Sequence, residues 1–145
     1  MRYRINRLEE RYIDEYAKAV ASDWYNEFQA VKYNKKQPME DLKQRIKQFS
    51  AGRMVIVDSN DKLIGGIAIL ADGDETSIGY FILPEYQGRG IAKSVLALAT
   101  QKMHNADLCL YIMDGNKASE SVARACGYAE VSRENGIIKY MKGRN

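Results

Sequence analysis

Residues 87–90, Gln-Gly-Arg-Gly, are the part of the chain whose types and spacing most clearly suit a chemical task. A β-rich run ends at Pro84, and this loop leads directly into a segment with helical periodicity. Glycines let the backbone approach a ligand closely, and the first turn of a helix offers N–H groups without intrahelical partners. The helix dipole adds about half a positive charge there. The loop therefore predicts a phosphate or pyrophosphate site, with Arg89 and Lys93 at its rim.

Two common phosphate loops do not match this segment. A P-loop requires GxxxxGK[ST], and no such string occurs in the chain. In the dinucleotide-binding pattern GxGxxG, Gly88 and Gly90 supply two glycines, but Lys93 stands in the third place. Spacing alone also leaves open a tight connection in which the glycines only turn the chain.

The surrounding pattern predicts the elements that position this loop. Apolar residues at helical spacing, Ile13, Tyr16, Ala17, Val20 and Trp24, predict a first helix, and Pro38 begins a second. Strands are expected near 2–6, 54–57, 63–70, 77–83, 108–113, 128–133 and 136–141, with helices after Gly90 and over 116–126. The helix over 116–126 is expected to direct four side chains toward the core: Ala118, Val122, Ala125 and Cys126. The order β-α-α-β-β-β-α-β-α-β-β is that of an α+β fold, a mixed α/β sandwich with the sheet in the middle.

The loop also carries a family resemblance. Gln87-Gly88-Arg89-Gly90-Ile91-Ala92 resembles motif A of the GNAT N-acetyltransferase superfamily, [QR]xxGx[GA], after a Pro-Glu-Tyr that often precedes it. Asn116 to Ser119, Val122-Ala123 and Gly127-Tyr128 resemble that family's NxxS...VA...GF segment. The run from Ser77 to Ala92 is most similar to the branch that acetylates ribosomal-protein N-termini. The resemblance implies a single domain over residues 1–145, with a mostly antiparallel sheet of six to seven strands and about four helices.

The resemblance also implies an acetyl-CoA site and an activity. The chain would transfer an acetyl group from acetyl-CoA, its co-substrate, to a primary amine that attacks the thioester directly in a ternary complex. Main-chain N–H groups of the loop would hold the pyrophosphate, main-chain groups of Phe81 and Ile82 would line the pantetheine, and Ile82 N–H would polarise the thioester carbonyl. The implied cofactor residues are Phe81, Ile82, Gln87, Gly88, Arg89, Gly90, Ile91, Ala92, Lys93, Asn116 and Ser119. The acceptor is a small molecule, a protein N-terminus or a lysine.

The acid and base are less clearly marked. Ser77 stands where the branch often has Glu, and Ala123 where the family's proton-donating tyrosine falls. Asp114 is the best replacement base by position, with Asp74 and Glu75 behind it. Tyr128 is taken as the proton donor, and Tyr140 and Tyr80 are alternatives. These departures keep open a second reading, an acyl-CoA-binding sensor or degenerate module without turnover.

Composition bounds the remaining possibilities. The net charge of +3 is too weak to indicate a nucleic-acid or anionic membrane partner, although the Gly-Arg-Gly loop and pI of 8.8 raise a nucleic-acid module as a third reading. One His and two Cys exclude a His- or Cys-rich metal site, so no metal is expected, and His104 is assigned to the surface. Cys109 and Cys126 are expected to be reduced core residues in a cytoplasmic protein. Trp24, Tyr25 and Phe28 are candidates for an acceptor pocket or for core packing, and a monomer and a homodimer both remain open.

Overall fold

The computed structural model describes residues 2–27 and 37–143, and its central feature is a seven-stranded sheet. The strands are β1 (Tyr3–Arg7), β2 (Arg53–Asp58), β3 (Leu63–Asp72), β4 (Glu75–Ile82), β5 (Asp107–Met113), β6 (Ala129–Glu134) and β7 (Ile137–Lys142). The helices in this described part are α1 (Ile13–Val20), α2 (Asp23–Asn26), α3 (Met39–Gln48), α4 (Ile91–Lys102) and α5 (Lys117–Ala125). The predicted α+β class and the predicted mostly antiparallel sheet are confirmed, with five helices rather than about four.

The two faces of the sheet carry two separate apolar clusters, because successive side chains of a strand point to opposite faces. In β2, Val55 and Val57 pack with α1 and α3, whereas Ile56 between them packs with α4 and β5. The sheet order is β1-β2-β3-β4-β5-β7-β6. The run from β2 to β4 is an antiparallel meander, which places the end of β4 and the loop after it near the middle of the sheet.

The predicted helix over 13–24 is wrong in its length, because two helices occupy that stretch. α1 ends at Val20, and Ser22 adopts an extended conformation before α2 begins. The side-chain amide of Asn26 donates to the carbonyls of Val20 and Ser22, both at 2.9 Å. The bond to Val20 satisfies a carbonyl at the end of α1, and the bond to Ser22 adds to the main-chain bond from Asn26 N–H in α2, so both stabilise the break.

The inward face of α5 also differs from the predicted one. Ala118 and Ala125 are exposed, while Glu120 and Ala123 are buried. Glu120 takes an inward position because its carboxylate accepts a hydrogen bond from the Tyr140 hydroxyl of β7 at 3.2 Å. A polar partner inside the fold thus overrides the simple apolar pattern.

The only parallel pairing among the described strands is between β4 and β5, and it is short. Its register runs from Glu75 opposite Asp107 to Ser77 opposite Cys109 and then stops. β4 continues for five more residues, paired on its other side with β3 up to Ile82 opposite Gly65. The two central strands therefore separate, and a gap opens in the sheet below the loop that follows β4. None of the described helices is both long and apolar enough to cross a bilayer.

Candidate active site

The glycine loop forms one end of the candidate site. After β4, a 3-10 turn at Pro84–Tyr86 leads to Gly88 and Gly90, whose φ angles of 76° and 78° lie in the left-handed region. A Cβ at either glycine would meet no atom within 4 Å, so the space in front of the loop is open. The first helical bond of α4 runs from Ser94 N–H to the Gly90 carbonyl. The preceding N–H groups are therefore free to bind an anion.

The gap beside β4 supplies a second set of main-chain groups. Leu83 N–H donates to the Ile64 carbonyl of β3 at 2.8 Å. Because main-chain groups alternate along an antiparallel strand, Tyr80 and Ile82 direct theirs away from β3, into the gap. Gln87 Nε2 reaches the Ile82 carbonyl at 2.9 Å and anchors the loop to this edge.

Phe81 departs from its expected main-chain role. The same alternation turns its N–H and carbonyl toward Gly66 of β3, which is its partner in the register. Its main-chain groups therefore do not face the gap, and its ring lines the site instead. Of the two residues expected to present main-chain groups to the pantetheine, Ile82 is the one that directs them into the gap.

Loop, gap and α5 enclose a cleft of about 440 Å³. Every expected cofactor residue except Arg89 lines it, together with Trp24, Tyr25, Glu27 and Tyr80. The Arg89 guanidinium instead lies 5.5 Å from the centre of the Tyr86 ring. Lys93 is thus the cation that the described part of the chain places in the cleft wall.

The start of α5 forms the opposite wall. Asn116 Oδ1 accepts from Ser119 N–H at 3.3 Å, which caps the helix. The oxygen expected to reach the cofactor therefore already has a structural partner, and the side-chain NH2 of Asn116 is the group left for a ligand.

Tyr80 of β4 contributes to the cleft wall, and its hydroxyl is shielded from solvent. Burial raises the pKa of its hydroxyl, and hydrogen bonding with the Ser119 side chain lowers that pKa in part. Sequence reasoning weighed Tyr80 as an alternative proton donor, and the structure places this residue in the cleft wall.

Asp114 and Tyr128, the expected base and acid, lie away from the cleft. Asp114 is half exposed and forms an ion pair with Arg133, with 3.0 Å between Oδ2 and the guanidinium nitrogen. The Tyr128 hydroxyl is buried and lies 2.7 Å from the Thr100 hydroxyl of α4. Position therefore supports a catalytic role for neither residue.

The remaining sequence candidates also have other partners or places. Glu75 forms an ion pair with Lys139 at 2.8 Å, and the buried Tyr140 hydroxyl bonds to Glu120. Asp74 is exposed in the β3–β4 turn, and His104 is exposed beyond the end of α4. The described residues contain no cluster of His, Cys, Asp and Glu that could hold a metal ion.

An aromatic group forms the far end of the cleft. The Tyr25 and Phe81 rings meet edge to face with centres 5.4 Å apart, and the Trp24 ring lies 6.1 Å from that of Phe81. Glu27 is exposed beside them and is the carboxylate that the described residues contribute to the cleft. Phe28, the third aromatic expected here, lies outside the described residues.

Comparison with known proteins assigns this architecture. The model of the acetyltransferase (GNAT) family matches residues 14–128. The chain belongs to the GNAT family of acetyltransferases. The match spans the glycine loop and the start of α5, the two segments on which the sequence resemblance rests. A search of curated proteins finds no sequence match.

Solved structures share the fold at low sequence identity. Ribosomal-protein-S5-alanine acetyltransferase from Vibrio fischeri is 19% identical, with 100% of this chain and 94% of that chain covered and a TM-score of 0.78. Spermidine N-acetyltransferase from Vibrio cholerae, solved with CoA and spermine, is 17% identical, with 98% and 95% covered and a TM-score of 0.73. A ribosomal L7/L12 α-N-protein acetyltransferase solved with CoA is 15% identical, with 98% and 94% covered and a TM-score of 0.79. The neighbours thus include the ribosomal-protein acetyltransferases that the GNAT motif resembles.

Proposed function

We propose that the chain transfers the acetyl group of acetyl-CoA to a primary amine by direct attack in a ternary complex. The observation that carries this proposal is the meeting of three features in one cleft: the glycine loop, the free edge of β4 and the start of α5. This arrangement suits a long ligand with an anionic end and amide groups along its arm, which is the chemistry of CoA. We also propose a single domain over residues 1–145, since strands from Tyr3 to Lys142 share one sheet.

Each part of the cleft has a task in this proposal. The N–H groups from Gly88 to Lys93 bind the pyrophosphate, and the Lys93 ammonium adds charge. Ile82 N–H, on the gap side of β4, donates to the thioester oxygen as negative charge develops there. Tyr80 N–H lies on the same edge, two residues away, and is a second donor available to the acetyl-CoA chain.

The acceptor amine needs to lose a proton. An amine with a pKa near 10.4 is only about one part in a few thousand neutral at pH 7. Glu27 is the carboxylate among the described cleft residues, so it, or a water that it holds, replaces Asp114 as the proposed base.

Direct attack fits the state of the two cysteines. Cys109 is buried in β5, and Cys126 is partly buried with its thiol directed to the Lys93 carbonyl at 3.5 Å. Burial raises the pKa of both thiols. A thiol is nucleophilic as its thiolate, so neither residue is suited to carry an acetyl intermediate.

A second candidate is an acyl-CoA-binding module without turnover. The ion pair of Asp114 and the burial of Tyr128 favour it, because the expected acid and base are both engaged elsewhere. It predicts CoA binding without acceptor-dependent chemistry.

One experiment separates the two. CoA and acetyl-CoA binding are measured by calorimetry, and release of free thiol is followed with acetyl-CoA and a panel of amines. The panel holds polyamines and peptides with free N-termini, the acceptor classes of the structural neighbours, together with amino acids and lysine peptides. We expect binding and thiol release that depends on one class of amine. Binding without acceptor-dependent release would contradict the proposed transfer and favour the binding module. The cytoplasmic location stays a prediction.

A further inference from the structure

Gly66 of β3 lies under the Phe81 ring, which lines the cleft, although Gly66 does not line the cleft itself. It is buried and stands opposite Phe81 in the register of β3 and β4, so both residues face the same side of the sheet. A Cβ built on Gly66 would come within 2.5 Å of Phe81 Cε1 and 2.9 Å of Cζ. Carbon atoms in contact normally lie about 3.5–4.0 Å apart. The absence of a side chain on Gly66 therefore allows this position of the ring.

Tyr16 of α1 determines which way the Phe81 ring would move if the space at Gly66 were filled. The same Cβ would lie 3.0 Å from Tyr16 Cε2, and the two rings meet edge to face with centres 5.4 Å apart. Tyr16 is 2% exposed, and its hydroxyl accepts a hydrogen bond from the Arg53 guanidinium at 3.2 Å. The Tyr16 ring is thus held in the core, whereas the Phe81 ring borders the cleft. A side chain at position 66 would push the Phe81 ring toward the cleft.

The part of the cleft that this ring limits is its aromatic end, formed by Trp24, Tyr25 and Phe81. Among the described cleft residues, the charged side chains are those of Glu27 and Lys93, and Lys93 belongs to the glycine-loop end. With Glu27 assigned to the amine, the group that the acceptor carries beside its amine meets mainly rings. Aromatic walls of this kind favour an apolar or aromatic group.

We infer that Gly66 is a positioning residue that sets acceptor specificity, because it leaves room at the aromatic end for a primary amine carrying an apolar group of aromatic size. This inference rests on the proposed acetyl transfer and names the class of its acceptor. Gly66 acts through the Phe81 ring, whose position fixes the depth of the aromatic end. A larger residue at position 66 would favour small amines and leave the glycine loop and the free edge of β4 unchanged.

The test uses two amines that share an aminoethyl group, phenethylamine and ethylamine. For the unmodified chain, we expect kcat/KM to be at least about tenfold higher for phenethylamine. Gly66→Ala should lower this preference about tenfold, mainly through KM for phenethylamine, with CoA affinity unchanged. Gly79→Ala is the matched control, because it adds the same methyl group to β4 where a Cβ would meet no atom within 4 Å. Its preference should equal that of the unmodified chain.

A second set of variants tests the route through the Phe81 ring. Leucine ends at Cδ, so Phe81→Leu removes the Cε1 and Cζ atoms that the added methyl group would meet. In the Phe81→Leu background, Gly66→Ala should therefore change the preference by less than about twofold. Gly65→Ala is the contrast, because its Cβ would meet the Phe81 carbonyl oxygen, a main-chain atom. It should lower the free energy of unfolding whether residue 81 is Phe or Leu.

The outcomes distinguish this inference from the proposed function. If the unmodified chain acetylates amines without preferring phenethylamine, or if Gly66→Ala keeps the preference, the inference is wrong while acetyl transfer stands. An equal loss with both amines, or a full effect of Gly66→Ala in the Phe81→Leu background, would also overturn it. Absence of turnover with every amine would overturn both proposals.

Phe81→Leu alone decides the matter if Gly66→Ala does not fold. Shortening this side chain deepens the aromatic end, so kcat/KM for naphthylethylamine should rise about tenfold relative to that for phenethylamine. An unchanged ratio would show that the Phe81 ring does not limit the acceptor, and would reject the inference.

Discussion

At the α4 end of the cleft the groups suited to bind a ligand belong to the main chain, whereas at the α1–α2 end they are side chains. Gly88 and Gly90 open the loop and expose N–H groups of the first turn of α4. At the other end, the rings of Trp24 and Tyr25 and the Glu27 carboxylate form the wall. A main-chain site depends on a few glycines at fixed spacing, while a side-chain site permits many residue choices. We therefore expect the first end to determine the cofactor and the second to determine the acceptor.

The largest expected effect is at Gly90. Gly90→Asp keeps a residue type that tolerates the left-handed backbone and caps a helix, but sets a carboxylate against the pyrophosphate. Two unit charges 4 Å apart near a surface repel by about 4 kcal/mol, so CoA affinity should fall by at least about 100-fold. Gly90→Asn is the matched control, with the same size and no charge. Calorimetry measures both, and equal affinities for the two variants would contradict the anion site.

The next largest effect is expected at the aromatic end of the cleft, at Trp24. Trp24→Ala removes a half-buried ring that packs beside Phe81, and we expect KM for the acceptor amine to rise about tenfold, or about 1.4 kcal/mol. CoA affinity should stay the same. Phe49→Ala is the control, because Phe49 is 61% exposed and lies outside the cleft. If CoA binding weakens as much as acceptor binding, the two ends are not separate.

A third prediction concerns the support behind α4. Thr100 Oγ1 bonds to the Leu96 carbonyl, so the Tyr128 hydroxyl is the donor to Thr100. Thr100→Val leaves that buried donor without an acceptor and should lower the free energy of unfolding by about 1–3 kcal/mol, measured by urea denaturation. Tyr128→Phe removes the donor itself and should cost less. Both variants should keep kcat per folded molecule, and a large loss of kcat in Tyr128→Phe would restore its catalytic role.

The smallest effect is expected at Asp114. Its exposed ion pair with Arg133 is worth less than about 1 kcal/mol, so Asp114→Asn should leave stability nearly unchanged and thiol release unaffected. Glu27→Gln is the matched substitution in the cleft and should lower kcat/KM for the amine. If Asp114→Asn lowers kcat/KM for the amine and Glu27→Gln does not, the base is Asp114.

The fold and the glycine loop could be predicted from the sequence because their signals are local. β-rich runs separated by turn residues mark the strands from β2 to β4, and glycines mark the loop before Ile91. The break between α1 and α2 gives no such signal, because the apolar period continues through to Trp24. It depends on a side-chain bond from Asn26 back to Val20.

The surroundings of the candidate acid and base could not be predicted, because they depend on contacts between residues distant in sequence. Asp114 pairs with Arg133 of β6, which lies 19 residues further along the chain. Tyr128 bonds to Thr100 of α4, which lies 28 residues before it. In the sequence, Tyr80 looks like any other residue of a β-strand. The burial of its hydroxyl beside α5 is a feature that no sequence pattern shows.

The short pairing of β4 and β5 gives the protein an edge in the middle of its sheet. Unpaired edges are templates for other chains, and proteins normally cover or pair them. Here CoA would act as a substitute strand, so the ligand-free chain would carry an exposed template and the bound chain would not. The amide protons of Tyr80 and Ile82 would then exchange with solvent as quickly as those of an outer strand, and bound CoA would slow them. Cofactor supply would thereby control the chain's tendency to aggregate as well as its chemistry.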